Sequence, residues 1–328
     1  LDSFRHPQYL CALAHQRLAV SKPLAMTTDI TRGPRPALEL AWLAVLATLW
    51  GGSYTLIKLG VNTITPITLI AARTSVAGSL LLIVLRWRGV ALPRDAATCR
   101  RFLFQACLNS AIPFTLNAEA EQSVDAGLAT ILNATSPVFT FLLTCVLAPA
   151  PTARRQLAGV GMGMFGICLI VGTQVFDGLG RQLAAQLAIV VATICYAGAA
   201  VFGRSFKGLD PMVPATGSLL CGAAILVPLS LYFERPWLLA PSAGSLLALF
   251  GLAVFCTAFA FVLYFRLVQT LGSVGVTAQA YLRVPIGVMI GALFLGERLA
   301  PSAWAGLACV VIGVAVMALP QRRRPALR

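Results

Sequence analysis

Residues 245–265, SLLALFGLAVFCTAFAFVLYF, contain no charged side chain. A transmembrane helix needs about 20 mainly apolar residues to cross a hydrocarbon core of about 30 Å, and this stretch meets that requirement. Similar runs recur from Ala37 to Leu319 with short breaks between them. The whole chain is 58% hydrophobic and only 11% charged. We therefore predict that lipid, rather than water, surrounds most of it.

The apolar runs predict an all-α integral membrane protein with ten transmembrane helices. Little chain is left for a soluble domain. The predicted spans are 38–59, 66–85, 102–121, 126–147, 156–173, 183–203, 212–232, 245–265, 273–295 and 302–319.

The net charge of +14 raises the alternative of a nucleic-acid partner. Most of the 25 Lys and Arg residues, however, fall in the tails and loops on one side of the predicted membrane. The positive-inside rule then places both termini in the cytoplasm and accounts for the charge without nucleic acid. Residues 1–36 form a polar tail and residues 321–328 a basic cytoplasmic tail. Because the first methionine is Met26, we expect that residues 1–25 are not translated.

The two halves of the chain match weakly but in order, which indicates an internal repeat. The matching positions are Pro66 with Pro211, Pro137 with Pro285, Gly166 with Gly313, Trp50 with Tyr196, and Lys58 with Arg204. Each half, 37–173 and 182–320, holds five predicted spans. Because five is odd, the second half enters the membrane from the opposite side. The sequence thus predicts two inverted five-helix repeats around a central cavity, an arrangement suited to alternating access.

Four stretches carry a family resemblance: LWGGSYTLIKLG at 49–60, PITLIAARTSVAG at 66–78, SVDAGLATILNATSPVFTFLL at 123–143, and VPIGVMIGALFLGERLAPSAWAGLACVVIGV at 284–314. Together they resemble the EamA-type transporters of the drug/metabolite transporter superfamily, over about residues 37–319. The resemblance implies a bacterial inner-membrane exporter of amino acids, related metabolites or amphipathic drugs.

Other functions are disfavoured by the residues present. Gly161, Gly163 and Gly166 spell GxGxxG, but no strand precedes them, so we interpret the glycines as helix-packing positions rather than a nucleotide site. No Walker-type motif occurs, and the two histidines, His6 and His15, lie in the tail. We therefore expect no enzyme, cofactor or metal. The alternatives left open are an intramembrane enzyme or flippase acting on a lipid or polyprenyl carrier, and a structural or sensory protein.

Pro137 and Pro285 lie near the midplane of the fourth and ninth spans. A proline inside a helix frees the carbonyl one turn earlier, and inside a membrane such a group needs protein, a side chain or cavity water as a partner. We predict helix breaks at both prolines and a binding site beside them, with simple helix curvature as the alternative. Arg283 should meet a carboxylate, carbonyl groups or a substrate anion, because an unpaired arginine costs ~2.5 kcal/mol or more at the bilayer centre.

The predicted substrate-binding residues are Arg283, Tyr281, Gln279, Asn133, Trp50 and Tyr196, and the further candidates for the cavity or for coupling are Arg73, Lys58, Glu119 and Asn117. Each has a simpler alternative. Arg283 and Arg73 could form structural ion pairs, Lys58 could anchor at the membrane interface, and Glu119 could lie in a solvated turn. The expected partners are a small-molecule solute and the lipid bilayer. A coupling proton or ion and a homodimer remain open.

Overall fold

The computed structural model describes residues 36–147, 154–175, 181–277, 279–296 and 301–318. Within these ranges the regular secondary structure is helical and contains no strand. The N-terminal tail, the basic tail at 321–328 and the turn with Glu297 lie outside the described residues.

The helices follow one another along the chain with short connections. They are α1 (Pro36–Gly60), α2 (Pro66–Trp87), α3 (Ala96–Ala106), α4 (Ile112–Ala120), α5 (Ala126–Asn133), α6 (Ser136–Leu147), α7 (Arg154–Val175), α8 (Arg181–Gly203), α9 (Met212–Leu229), α10 (Ala243–Ala253), α11 (Ala260–Thr277), α12 (Gln279–Leu295) and α13 (Pro301–Ala318). Three π-helical segments occur among them, at Cys107–Ala111, Ser230–Glu234 and Val254–Phe259.

Six of the described helical stretches are long and apolar enough to cross a membrane. They are Ala37–Gly60, Pro66–Trp87, Ala126–Leu147, Gln182–Phe206, Met212–Glu234 and Ala243–Gly272. Three of the ten predicted spans correspond to shorter apolar helices, Leu157–Gly166, Leu282–Leu295 and Trp304–Gly313. The predicted third span falls on α3, the π-helical segment and α4, where Gln105, Asn109 and Asn117 reduce the apolar character. The arrangement of ten spans in two inverted halves remains a prediction.

The two proline-bearing helices differ from each other. The helix before Pro137 ends at Asn133, and α6 begins at Ser136, so the chain turns there inside an otherwise continuous apolar stretch. Pro285, by contrast, lies within α12, and the helix continues through it. The non-helical backbone in this part of the chain lies earlier, at Gly272, whose φ of 73° is readily adopted only by glycine.

Close helix crossings depend on glycine. A Cβ atom added at Gly287 of α12 would lie 2.7 Å from the Thr130 side chain and 3.1 Å from the carbonyl oxygen of Gly51 in α1. A Cβ at Gly313 of α13 would lie 2.6 Å from the carbonyl oxygen of Gly159 in α7. Of the GxGxxG glycines interpreted as packing positions, Gly163 lies at such a contact, because an added Cβ would lie 2.7 Å from the Val138 side chain, whereas a Cβ at Gly161 would meet nothing within 4 Å.

Polar side chains connect distant helices at their ends. Glu234 accepts hydrogen bonds from the backbone N–H groups of Ile67 and Thr68 and from the hydroxyls of Thr65 and Thr68, which caps the N-terminus of α2. A carboxylate is well placed at this end of a helix, where N–H groups lack intrahelical partners. These contacts join the end of the α9 region to α2, and the two helices pack side by side.

Candidate functional site

A cavity lies between α1, α2, α4, α8, α11 and α12, with an empty volume of about 680 Å³ that includes the space at its mouth. The wall is largely apolar and aromatic and carries two arginines. Its residues are Trp50, Ser53, Tyr54, Ile57, Arg73, Asn109, Phe114, Asn117, Ser136, Tyr196, Ala200, Phe261, Tyr264, Val276, Gln279 and Arg283.

Arg283 of α12 contacts the turn between α5 and α6, which interrupts the helix in the fourth predicted span. Its Nη2 donates a hydrogen bond to the carbonyl oxygen of Asn133 at 2.9 Å. Asn133 stands four residues before Pro137, so this is the carbonyl that the missing proline N–H leaves without its helical donor. The guanidinium carbon also lies 5.8 Å from the centre of the Tyr54 ring, within the range of a cation–π contact. Arg283 is 5% exposed.

Arg73 of α2 is held by the second half of the chain. Its Nε donates to the Thr257 hydroxyl at 2.5 Å, and Nη2 lies 3.5 Å from the carbonyl oxygen of Cys256. The guanidinium carbon lies 3.9 Å from the centre of the Phe114 ring. Arg73 is 2% exposed. Its position is therefore fixed by stacking and by hydrogen bonds to neutral groups.

Neither cavity arginine forms a salt bridge with another residue that the structure describes. The salt bridges formed among the described residues are Arg88 with Asp210 and Arg266 with Glu39, and both lie outside the cavity wall. The cavity lining contains no Asp or Glu. Two buried positive charges therefore face this cavity with neutral partners, and an acidic group entering the cavity would neutralise charge there.

Aromatic side chains form much of the remaining wall. The rings of Trp50 and Tyr264 lie 5.5 Å apart between centroids, and Trp50 Nε1 donates to the Cys256 carbonyl oxygen at 3.2 Å. Phe261 contacts both Tyr264 and Phe114, with centroid separations of 6.5 and 6.0 Å. These rings offer a planar or apolar solute a large contact surface.

A buried network of hydrogen-bonded polar side chains lies next to the cavity wall. The side-chain amide of Asn133 donates to Asn117 Oδ1 at 3.1 Å, and Asn117 Nδ2 donates to the Tyr196 hydroxyl at 3.2 Å. Thr193 donates to Asn133 Oδ1 at 3.2 Å. The network thereby connects α4, α5 and α8. Asn133 is fully buried and does not line the cavity, so its contact with the site runs through Arg283 and Asn117.

Three buried atoms of the lining residues have no hydrogen-bond partner within the described part of the chain. They are Asn109 Nδ2, Gln279 Oε1 and Arg283 Nε. Buried polar groups are normally satisfied, so these two donors and one acceptor are free to bond to water or to a polar solute. Gln279 and Arg283 stand one helical turn apart on α12, which puts an acceptor and a donor on the same face.

The cavity brings together most of the residues predicted for it. Arg283, Gln279, Trp50 and Tyr196 line it, as do Arg73 and Asn117 from the second group. The side chain of Tyr281 lies outside the described part of the structure.

The remaining two candidates lie elsewhere. Lys58 donates to the carbonyl oxygens of Glu121 and Val124 at 2.6 and 2.9 Å, so it attaches the outer turn to α1. Glu119 is exposed and accepts a hydrogen bond from Gln122 at 2.9 Å. Glu121, two residues later in the same turn, is fully buried.

Several lining residues were not among the predicted site residues. Asn109, Phe114, Phe261 and Tyr54 line the cavity but were not predicted to do so. Tyr54 has a signal in the sequence, since it follows Trp50 by one helical turn and so shares its face. Among the described residues no group of three His, Cys, Asp or Glu side chains could hold a metal ion.

These helices and their internal cavity define an integral membrane protein that can hold a small molecule between its helices. The sequence profile of the EamA-like transporter family matches residues 37–172 and again residues 183–319. The chain therefore belongs to the EamA-like transporter family, and it is a membrane transporter of the drug/metabolite transporter superfamily. The resemblance seen in the four quoted stretches is confirmed.

Named relatives agree with this assignment. The chain is 25% identical over 284 residues to the uncharacterized inner membrane transporter YedA of Escherichia coli (strain K12), covering 87% of this chain and 92% of YedA. It is 27% identical over 282 residues to a Streptantibioticus cattleyicolor protein named "Probable terminal-alkyne amino-acid exporter", covering 84% and 92% of the two chains. The chain is thus an integral inner-membrane protein.

A solved crystal structure has the same fold. It covers 88% of this chain and 99% of its own chain with a TM-score of 0.63, at 18% sequence identity. At that level of identity the likeness shows the fold alone.

Proposed function

We propose that this protein exports a small amphipathic solute that carries an acidic group, with amino acids as one candidate class, by alternating access. The observation that carries the proposal is the aromatic cavity with two buried guanidinium groups that have no carboxylate partner in the described part of the chain. A planar guanidinium fork binds a carboxylate well. The aromatic rings would bind the apolar part of the same solute.

Alternating access by two inverted five-helix halves is supported by how the cavity is built. Its wall takes residues from both parts of the chain matched by the family profile. Two π-helical segments, Cys107–Ala111 and Val254–Phe259, fall in the third and eighth predicted spans, which correspond in the repeat. In such a repeat, exchanging the conformations of the halves opens one central site to either side of the membrane.

The export direction is supported by one relative that is named an exporter. Orientation with both termini in the cytoplasm follows from the distribution of basic residues. With no Walker-type motif in the sequence, we propose that an ion gradient or the gradient of the solute drives transport. A coupling proton or ion and a homodimer are both compatible with this scheme.

Counterflow in proteoliposomes tests the proposal. Vesicles containing the purified chain are loaded with one metabolite from a panel and then exposed to a trace of the same labelled compound. Transient, saturable accumulation of label is expected for at least one acidic amphipathic solute, because a carrier exchanges solute through one site. A chain that exchanges no member of the panel, while reconstituted and folded, would contradict the proposal.

The site assignment has its own test. Replacing both Arg283 and Tyr281 by alanine should abolish counterflow, whereas Arg88→Ala, which removes an arginine outside the cavity wall, should retain it. Unchanged counterflow in the double variant, at matched expression and folding, would remove the assignment.

A further inference from the structure

Charge balance in the cavity distinguishes between types of acidic solute. The cavity wall holds Arg73 and Arg283, which are 2% and 5% exposed, and none of the described residues that line it is acidic. An amino acid brings one negative and one positive group into this space. Its carboxylate can pair with a guanidinium, but its ammonium has no carboxylate partner in the wall.

Two aromatic rings of the wall already lie against the arginines. Arg73 already stacks on Phe114, and Arg283 lies within cation–π distance of Tyr54. A second cation over either ring would lie close to a guanidinium and be repelled by it. The unpartnered acceptor identified in the wall, Gln279 Oε1, is neutral and could accept from a hydroxyl or an amide as well as from an ammonium.

Glu121 does not reverse this balance. It is fully buried at the end of α4, but it is not among the residues that line the cavity. Counted together with the two arginines, it still leaves an excess of positive charge around the site.

We propose that the cavity selects organic anions over zwitterions. The preferred solute has a carboxylate or another acidic group, a planar or apolar body, and no ammonium group. The acid group binds at Arg283, where Nε is unpartnered, with Arg73 adding positive charge, and the body lies against Trp50 and Tyr264. This inference rests on the proposed transport function and narrows its substrate class.

Three compounds that share one skeleton test the inference without any mutation. Equilibrium binding to the purified full chain in detergent at pH 7 is measured by calorimetry for 3-phenylpropanoate, phenylalanine and 2-phenylethylamine. We expect 3-phenylpropanoate to bind at least tenfold more tightly than phenylalanine, and the amine not to bind. If phenylalanine or the amine binds as tightly as the anion, or if none of the three binds, the inference is overturned.

Variants that each remove one arginine charge test which residues cause the preference for the anion over the zwitterion. Arg283→Gln and Arg73→Gln should each reduce the anion-to-zwitterion ratio to below threefold, while Arg88→Gln should leave it unchanged, because Arg88 lies outside the wall and is half-exposed. A ratio that persists in both cavity variants, with native thermal unfolding, contradicts the assignment to these arginines. If a variant fails to fold, the binding of the three compounds to the wild-type chain still tests the inference.

The counterflow assay separates this inference from the proposed function. Saturable exchange of a zwitterion or of a neutral solute, together with weak binding of the anion, would overturn the inference and leave the transport function in place. Absence of exchange for every solute would overturn the transport function itself.

Discussion

Arg283 of α12 donates a hydrogen bond of 2.9 Å to the carbonyl oxygen of Asn133, the oxygen that Pro137 leaves without a helical donor. The same oxygen accepts a bond from the Ser136 hydroxyl at 2.8 Å. A helix break in one part of the chain thus supplies the acceptor that positions a buried cation from another part. The arginine needs this partner, because a buried charge without one is strongly destabilising.

Replacing Pro137 by alanine should weaken solute binding about tenfold. Alanine restores an N–H that can donate to the Asn133 carbonyl, so the helix can close and compete with Arg283. A hydrogen bond to a charged group is worth about 1.5–3 kcal/mol, which corresponds to tenfold or more in affinity. The KM for counterflow measures the effect. Pro228→Ala is the matched control, since Pro228 lies inside α9, exposed and away from the cavity, and its KM should not change.

Replacing Gly287 by alanine should destabilise the protein by about 1–3 kcal/mol, because the added methyl group overlaps the Thr130 side chain of α5 and crowds the Gly51 carbonyl oxygen of α1, which forces α12 away from both helices. Thermal unfolding in detergent should show a lower midpoint. Gly161→Ala provides the comparison, since a Cβ there meets nothing within 4 Å. Its midpoint should stay the same or rise slightly, because alanine favours a helix more than glycine does. An equal decrease in the unfolding midpoint of both variants would contradict the close helix packing at Gly287.

Replacing Glu234 by alanine should cost about 2 kcal/mol of stability, since it removes a charged acceptor from two backbone N–H groups at the start of α2. The fall in unfolding midpoint should be accompanied by easier proteolysis near residues 65–68. Glu119→Ala removes the same side chain from an exposed position and should change neither measurement. If Glu119→Ala is equally destabilising, the effect is one of net charge rather than of helix capping.

Asp95 should make a pH-dependent contribution to stability. Its carboxylate accepts a hydrogen bond of 2.8 Å from the Thr98 N–H at the start of α3, and this bonding lowers the pKa of Asp95 below its usual value. A lowered folded-state pKa means that the stabilisation is complete above the unfolded pKa of about 3.9 and is lost as the pH falls through the folded pKa.

Comparison of two variants checks this pH dependence. Asp95→Ala should lower the unfolding midpoint at pH 7, and its difference from the wild type should shrink in acid. Asn is also a good N-cap but does not titrate. The midpoint of Asp95→Asn should therefore follow the wild type at pH 7, and its cap should not weaken in acid. A constant deficit for Asp95→Ala from pH 7 to pH 3 would contradict the assignment.

The apolar runs were enough to predict a helical membrane protein, and the sequence also indicated six of the sixteen described residues that line the cavity. Hydropathy identifies a membrane helix from composition alone. Arg283 was predicted to need carbonyl groups or an acid. The sequence could not say that the carbonyl would be that of Asn133, because this contact joins two positions that are far apart in the chain.

One missed lining residue and both hydrogen-bond partners of Arg73 depend on local backbone geometry, whereas Phe114 and Phe261 lie in ordinary α-helices. Asn109 and the two partners of Arg73, Thr257 and Cys256, lie in π-helical segments. Such a segment has a wider turn than the α-helix and shifts which side chains share a face. A prediction of helix faces that assumes 3.6 residues per turn therefore assigns these side chains to the wrong face. Likewise, a turn at the membrane surface does not reveal that Glu121 points inward while Glu119 points outward.

Many polar side chains in this protein are held by main-chain oxygens. Lys58 uses the carbonyls of Glu121 and Val124, Arg283 uses that of Asn133, and Trp50 uses that of Cys256. A main-chain oxygen is present whatever amino acid occupies the position, so mutations at the accepting residues need not disrupt these attachments. Descendants of one ancestral gene could therefore diverge widely in sequence, and acquire new cargoes, while inheriting the same framework.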